Sequence, residues 1–147
     1  MSSVSRRPAR IFAMQLIYAM DLTASPAGVC LPGVLASAPI QDDMKKYGMS
    51  LVDLYQEHRS TLEKEIKSLS HAWDLGRMAT LDRILIMIAM VELLYKPDIP
   101  TKVAILEAVQ IANKFSTDDS PQFVNGILNQ FAKNKGMLSE KKSGDQN

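Results

Sequence analysis

Cysteine is almost missing from this chain of 147 residues: Cys30 is the only one. That excludes an internal disulfide and a cysteine cluster for zinc, and a lone thiol suits a reducing, cytoplasmic compartment. The two histidines, His58 and His71, have no second ligand at the short, regular spacing of a metal site, so neither a metal nor a cofactor is expected. An excess of one charge is missing too. Seventeen basic residues face sixteen acidic ones, for a net charge of +1, so attraction to a polyanion has to come from local patches. The longest unbroken apolar run, Ile84 to Val91, is far short of the ~20 residues of a membrane span. The opening mimics a signal peptide, but Gln15 and Asp21 break the apolar centre that such a peptide requires. No Gly-rich phosphate loop, G-x-S-x-G elbow, H-E-x-x-H pair or Ser/His/Asp grouping is visible. Asp118 and Asp119 adjoin at a helix entry, where carboxylates serve the dipole. A catalytic function is not expected.

What is present is helical periodicity. Ala9, Phe12, Ala13, Leu16, Ile17 and Met20 form one face of a 3.6-residue repeat, with Ser5 as N-cap and Pro8 tolerated in the first turn. Thr23 to Met44 carries Pro26, Gly28, Pro32, Gly33 and Pro39 and reads as loop, with room for one short helix between prolines. Leu51, Leu54, Tyr55, Leu62, Ile66 and Leu69 mark a long helix around Ser50 to Ala72. Thr80 to Tyr95 is apolar on nearly every face and belongs at the centre of a bundle. Lys96 to Pro100 breaks it. Thr101 then caps a helix to about Lys114, with Val103, Leu106, Val109 and Ile111 or Ala112 inward. Ser120 followed by Pro121 reads as an N-cap and first helical residue, before a buried stripe of Val124, Ile127, Leu128 and Phe131. The tail over 135–147 is polar and expected to be disordered. With no strand-like alternation and no internal repeat, the chain is expected to be all-α, one domain over 1–147. A chain of this length buries about 68–70% of its unfolded surface.

Two features point beyond packing. Arg6, Arg7 and Arg10 crowd the positive end of the first helix, at some cost against its dipole that an anionic partner would offset. They fit an ordinary solvated basic turn or phosphate contacts, for which the planar guanidinium is well suited. Phe123 lies roughly 90° from the centre of the stripe around Val124, at 100° per residue. It fits the edge of the core or a platform on which a base stacks for about 1–3 kcal/mol. Gly126 sits inside the same helix at about 1 kcal/mol relative to alanine; close helix approach or mere tolerance explains it. Tyr18, Asp82 and Arg83 are polar groups on apolar helices, consistent with internal hydrogen bonds or with a protein-binding face.

The opening R-R-P-A-R-I-F-A-M-Q-L-I-Y, Arg6 to Tyr18, resembles the pattern R-R-x-A-R-x-x-A-x-Q-x-x-Y of the NusB family of transcription antitermination factors. W-D-L-G-R-M-A-T-L-D-R-I-L from Trp73, with Glu92 and Leu93, is similar to that family's central helix. I-P-T-K-V-A-I-L-E-A-V-Q-I-A from Ile99 and K-F-S-T-D-D-S-P-Q-F-V-N-G-I-L from Lys114 are similar to its closing pair. The resemblance implies an all-α bundle of about seven helices in two packed sub-bundles. It implies binding to boxA-type single-stranded RNA together with the ribosomal protein NusE, as part of an RNA polymerase antitermination complex acting on ribosomal RNA operons. By position, Arg6, Arg7 and Arg10 would meet phosphates, Asp119, Ser120 and Phe123 would lie at the RNA, and Tyr18 and Asp82 would face NusE. A homodimer is compatible with the resemblance. Three residues depart from the family pattern: Met87 stands for an arginine, Leu106 for an asparagine and Ser116 for a glycine.

Two other functions fit the same residues. A protein-only helical adaptor would keep Tyr18 and Asp82 and make the arginines incidental. A stand-alone relative of the RNA-binding module of ribosomal RNA cytosine methyltransferases would need a separate S-adenosylmethionine domain, and no Gly-rich turn for that cofactor is present.

Overall fold

The basis for the fold is a computed structural model that describes residues 5–69 and 78–138. The described residues form six helices and no strand: α1 (Arg7–Thr23), α2 (Ala27–Ser37), α3 (Asp42–Ser68), α4 (Thr80–Tyr95), α5 (Thr101–Phe115) and α6 (Ser120–Asn134). The expected all-α class is what is found. The segment Trp73 to Arg77, assigned above to the central-helix motif, His71, and the end of the expected long helix lie outside the described residues. The chain divides into two compact units, Met1–Arg59 and Ser60–Asn147.

In the first unit, α1 buries the expected face: Ala9, Phe12, Ala13, Leu16, Ile17 and Met20 are joined by Met14 and Arg10. Its N-cap is Arg6, not the expected Ser5. The Ser5 hydroxyl still works at this end, accepting the Arg7 N–H at 3.1 Å from one residue further out. The helix stops at Ala24, whose φ of 53° is left-handed. In the segment from Thr23 to Met44, expected as loop with room for one short helix, the helix is α2, eleven residues long and running through Pro32. Pro26 opens it by accepting the N–H groups of Val29 and Cys30. Ala27, Cys30, Leu31, Val34 and Leu35 recur at i, i+3, i+4, i+7 and i+8 and are half-buried, and α2 packs against α1. That apolar stripe outweighs one missing hydrogen bond at Pro32.

α3 begins two turns ahead of the expected Ser50, with Asp42 and Asp43 in its first turn where carboxylates complement the dipole. Gly48 permits its approach to α1. A Cβ there would stand 2.6 Å from Phe12 Cδ2 and 2.9 Å from the Ala9 carbonyl oxygen, closer than atoms pack. Leu51, Val52 and Tyr55 are buried, while Leu54 is half-buried. Backbone angles leave the helical region at His58 (φ −110°, ψ 16°). Beside this kink Asp21 gathers two groups: Arg59 Nη1 donates to Oδ1 at 3.0 Å and the Tyr55 hydroxyl to Oδ2 at 3.3 Å.

In the second unit α4 occupies the span expected of it and buries Ile84 through Glu92 without a break. Met87 is fully buried, with Arg83 Nη1 3.8 Å from its sulfur. α5 meets its expectation only in its second half, where Ile111 and Ala112 are buried as expected. Ala104, Ile105, Ala108, Ile111 and Ala112 are buried, whereas Val103 and Leu106 are 40% and 52% exposed. Both registers are apolar, and the alanine-rich one lets α5 approach α4 and α6, against which it packs. Its cap is Pro100, with Thr101 already helical. α6 buries the expected Val124, Ile127, Leu128 and Phe131 together with Ala132; Gly126 is exposed, so no close helix approach calls for it.

Residues 135–137, assigned above to a disordered tail, instead form the stop of α6. Gly136 has φ 74°, and the N–H groups of Met137 and Gly136 reach the carbonyls of Ala132 and Lys133 at 2.8 and 3.1 Å. This pair of crossed bonds is a Schellman motif, which satisfies carbonyls the helix end leaves orphaned. Lys135 Nζ adds a 2.7 Å bridge to Glu65 on α3.

Candidate nucleic-acid interface

The three candidate arginines, all in the first unit, do not share one environment. Arg6 and Arg7 are half-buried at the entry of α1. The Arg6 guanidinium lies 4.5 Å from the centroid of the Tyr47 ring on α3, a cation–π contact of about 0.5–1 kcal/mol that fixes where the charge points. Arg10 is only 4% exposed. Counting from Arg10, Met14 and Ile17 fall at i+4 and i+7 and are buried with it, so its position on the helix directs it inward. No buried side-chain nitrogen or oxygen among the described residues lacks a hydrogen-bond partner. Tyr18, on the same helix, is 39% exposed.

The second unit places the other candidates around the turn between α5 and α6. Asp119 is exposed and is the N-cap of α6; Ser120, expected as the cap, is the first helical residue. Ser120 is 1% exposed. Its hydroxyl is turned to Asp82 Oδ2 at 2.9 Å and also lies 3.2 Å from the donating Thr117 N–H. Asp82, expected on a partner face, is 5% exposed. Its Oδ1 accepts the Ser116 hydroxyl at 2.7 Å, so both of its oxygens are engaged within the unit. Phe123, one turn into α6, is half-buried, and its N–H bonds to the Asp119 carbonyl at 3.2 Å. Ser116 has φ −113° and ψ −153°, extended backbone that places no demand for glycine.

The structure therefore brings Asp82, Ser116, Thr117 and Ser120 together and sets Asp119 and Phe123 on the same turn. Arg6, Arg7, Arg10 and Tyr18 belong to the other unit. Sequence reasoning missed Tyr47, because the helix that carries it was expected to begin only at Ser50. It also missed the Ser116 and Thr117 hydroxyls, since short polar residues before a helix carry no signal of which distant carboxylate they meet. Among the described residues no group of three His, Cys, Asp or Glu side chains could hold a metal ion, and no helix is long and apolar enough to cross a membrane.

Comparison with known proteins follows the same outline. The model of the NusB family matches residues 7–133. Transcription antitermination protein NusB of Geobacter sulfurreducens is 40% identical over 129 residues, which are 87% of this chain and 94% of that protein. Among solved structures, NusB of T. maritima superposes with a TM-score of 0.79 at 28% identity, over 88% of this chain and 92% of that one. A chain from a structure of the antitermination factors NusB and NusE in complex with double-stranded RNA also superposes with a TM-score of 0.79. It covers 87% of this chain and 96% of its own length at 22% identity, a likeness of fold alone.

Proposed function

The chain belongs to the NusB family, and from that premise we propose that it is a transcription antitermination factor. In this reading it binds boxA-type single-stranded RNA together with NusE and, within an RNA polymerase antitermination complex, promotes read-through in ribosomal RNA operons. One observation carries the RNA side of the proposal: a half-exposed aromatic, Phe123, stands one turn inside the start of a helix whose cap, Asp119, is open to solvent. An aromatic ring near a helix start can take part in base stacking, which contributes about 1–3 kcal/mol per base.

The other candidates take roles that follow from their surroundings. Arg6 and Arg7 meet phosphates, Arg6 with its guanidinium steadied on Tyr47. The Asp119 carboxylate repels phosphate and therefore serves the donor groups on base edges. Arg10 and Ser120 are each buried within their own unit and act on RNA only through the residues around them. Tyr18, exposed on α1, is kept for NusE.

The test is fluorescence anisotropy with a boxA-like single-stranded RNA, a scrambled strand and an RNA duplex, each with and without NusE, at two salt concentrations. Selective binding to the boxA-like strand, strengthened by NusE, is the expected result. Preference for the duplex would replace the single strand as substrate. No binding to any RNA, even with NusE, would overturn the RNA reading and leave a protein-only adaptor.

A further inference from the structure

Among the described residues of the second unit, one polar cluster centres on a buried carboxylate, Asp82, which the roles assigned so far leave unused. Asp82 lies in the first turn of α4, and its carboxylate accepts from Ser116 at 2.7 Å and from Ser120 at 2.9 Å. The hydrogens can be assigned by counting. Ser120 has one hydroxyl proton and stands 2.9 Å from both Asp82 Oδ2 and Ser116 Oγ. A carboxylate is the stronger acceptor, and the Ser116 proton is already directed to Asp82, so the Ser120 proton goes there too. Thr117, whose Oγ1 is 2.9 Å from Ser120 Oγ, must then be the donor to Ser120. The result is one directed relay: Thr117 to Ser120 to Asp82, with Ser116 closing on the other oxygen. Bonds aligned in this way polarise and strengthen one another.

Every donor in this relay lies between the last residue of α5 and the first of α6. The acceptor comes from a third helix. A carboxylate buried among hydroxyls is tolerable here because it lies in the first turn of α4 and against the first residue of α6, where two helix N-termini present positive dipole ends. With both oxygens engaged and only 5% of the residue exposed, Asp82 offers little surface to a partner.

We propose that Asp82 is a positioning residue for RNA binding. It anchors the α5–α6 turn through Ser116 and Ser120 and thereby fixes the first turn of α6, on which Phe123 stands. The proposal rests on the RNA-binding reading given above and assigns Asp82 to that site.

A double-mutant cycle tests it. Asp82→Ala, Ser116→Ala and Phe123→Ala are made singly, and each of the first two is combined with Phe123→Ala. Affinity for the boxA-like strand in the presence of NusE is read by anisotropy, on variants shown to be folded by circular dichroism. Asp82→Ala is expected to weaken binding by about 10-fold and Ser116→Ala by about 3-fold. In the Phe123→Ala background each loss is expected to shrink to less than about 2-fold, since interacting residues are not additive. A second readout follows Thr117, whose amide proton should exchange with solvent faster in Asp82→Ala than in the wild type. Losses that stay full-sized in the Phe123→Ala background would mean that Asp82 acts by direct contact with RNA or NusE, and would overturn the proposal. So would unchanged affinity in both single variants. If Asp82→Ala does not fold, the half-exposed Ser116 supplies the cycle alone. A wild type that binds no RNA overturns the functional reading and this proposal with it, whereas a binding wild type with additive variants overturns this proposal only.

Discussion

Three arginines that look alike as charges part company once burial is known. Arg6 and Arg7 sit at the lip of α1, and Arg10 is packed inside it. Arg7→Ala is expected to lower RNA affinity while leaving stability, read by thermal denaturation, within the ±0.5 kcal/mol typical of surface changes. Arg10→Ala should do the reverse first: removing a buried charged donor leaves its acceptor unsatisfied, at about 1–3 kcal/mol, so thermal denaturation should register the loss before any binding assay does. Equal melting temperatures for the two variants would refute this division. Phe123→Ala belongs with Arg7. It is expected to cost about 5–150-fold in RNA affinity, the equivalent of 1–3 kcal/mol of stacking, with a melting temperature close to that of the wild type. The separation of Arg10 from its neighbours was legible in principle, because Met14 and Ile17 follow it at i+4 and i+7. The burial of Ser120 was not, because a serine ahead of a proline has the same appearance whether it caps its helix or turns to a carboxylate on another one.

At the scale of elements, helices carried by long one-sided stripes were readable and those held by context were not. α1, α4 and α6 bury the residues their periodicity announces. α2 was hidden by Pro32 and two glycines, since its stability comes from packing on α1 and not from propensity. In α5 two apolar registers compete, and only the presence of α4 and α6 decides for the alanines. Gly48 shows the same dependence on a neighbour. Gly48→Ala would drive a methyl group into Phe12 and the Ala9 carbonyl. Overpacking of this kind costs about 1–3 kcal/mol, or a fall of about 3–10 °C in melting temperature for a chain of this size. Because the clash pushes α1 away from α3, Phe12→Leu in the same chain should recover part of the loss. No fall in melting temperature for Gly48→Ala would show that α1 and α3 can separate without cost. Gly136→Ala makes a milder, independent test of the α6 stop, expected at about 1 kcal/mol because φ 74° is open to glycine and strained for alanine.

For the whole molecule the governing quantity is a net charge of only +1. A chain this close to neutral has no broad field to draw RNA in, so whatever electrostatic affinity it has must come from a few contacts, and counterion release counts them. Each phosphate neutralised on a single strand contributes about −0.7 to the slope of log K against log salt, and on a duplex about −0.9. Arg6 and Arg7 as the phosphate contacts predict a slope near −1.4 for the single strand, with Arg7→Ala shallower by about 0.7. Phe123→Ala should lower affinity equally at every salt concentration, since stacking releases no counterions, and its slope should stay that of the wild type. The two variants thus separate by the shape of their salt dependence even where their affinities at one salt concentration coincide. A wild-type slope near zero would remove the arginines from the interface and leave the aromatic as the sole anchor. A slope much steeper than −1.4 would mean that basic residues beyond Arg6 and Arg7 also meet the backbone; Lys45 and Lys46, beside Tyr47 on α3, are the first to replace by alanine, each expected to make the slope shallower by the same ~0.7.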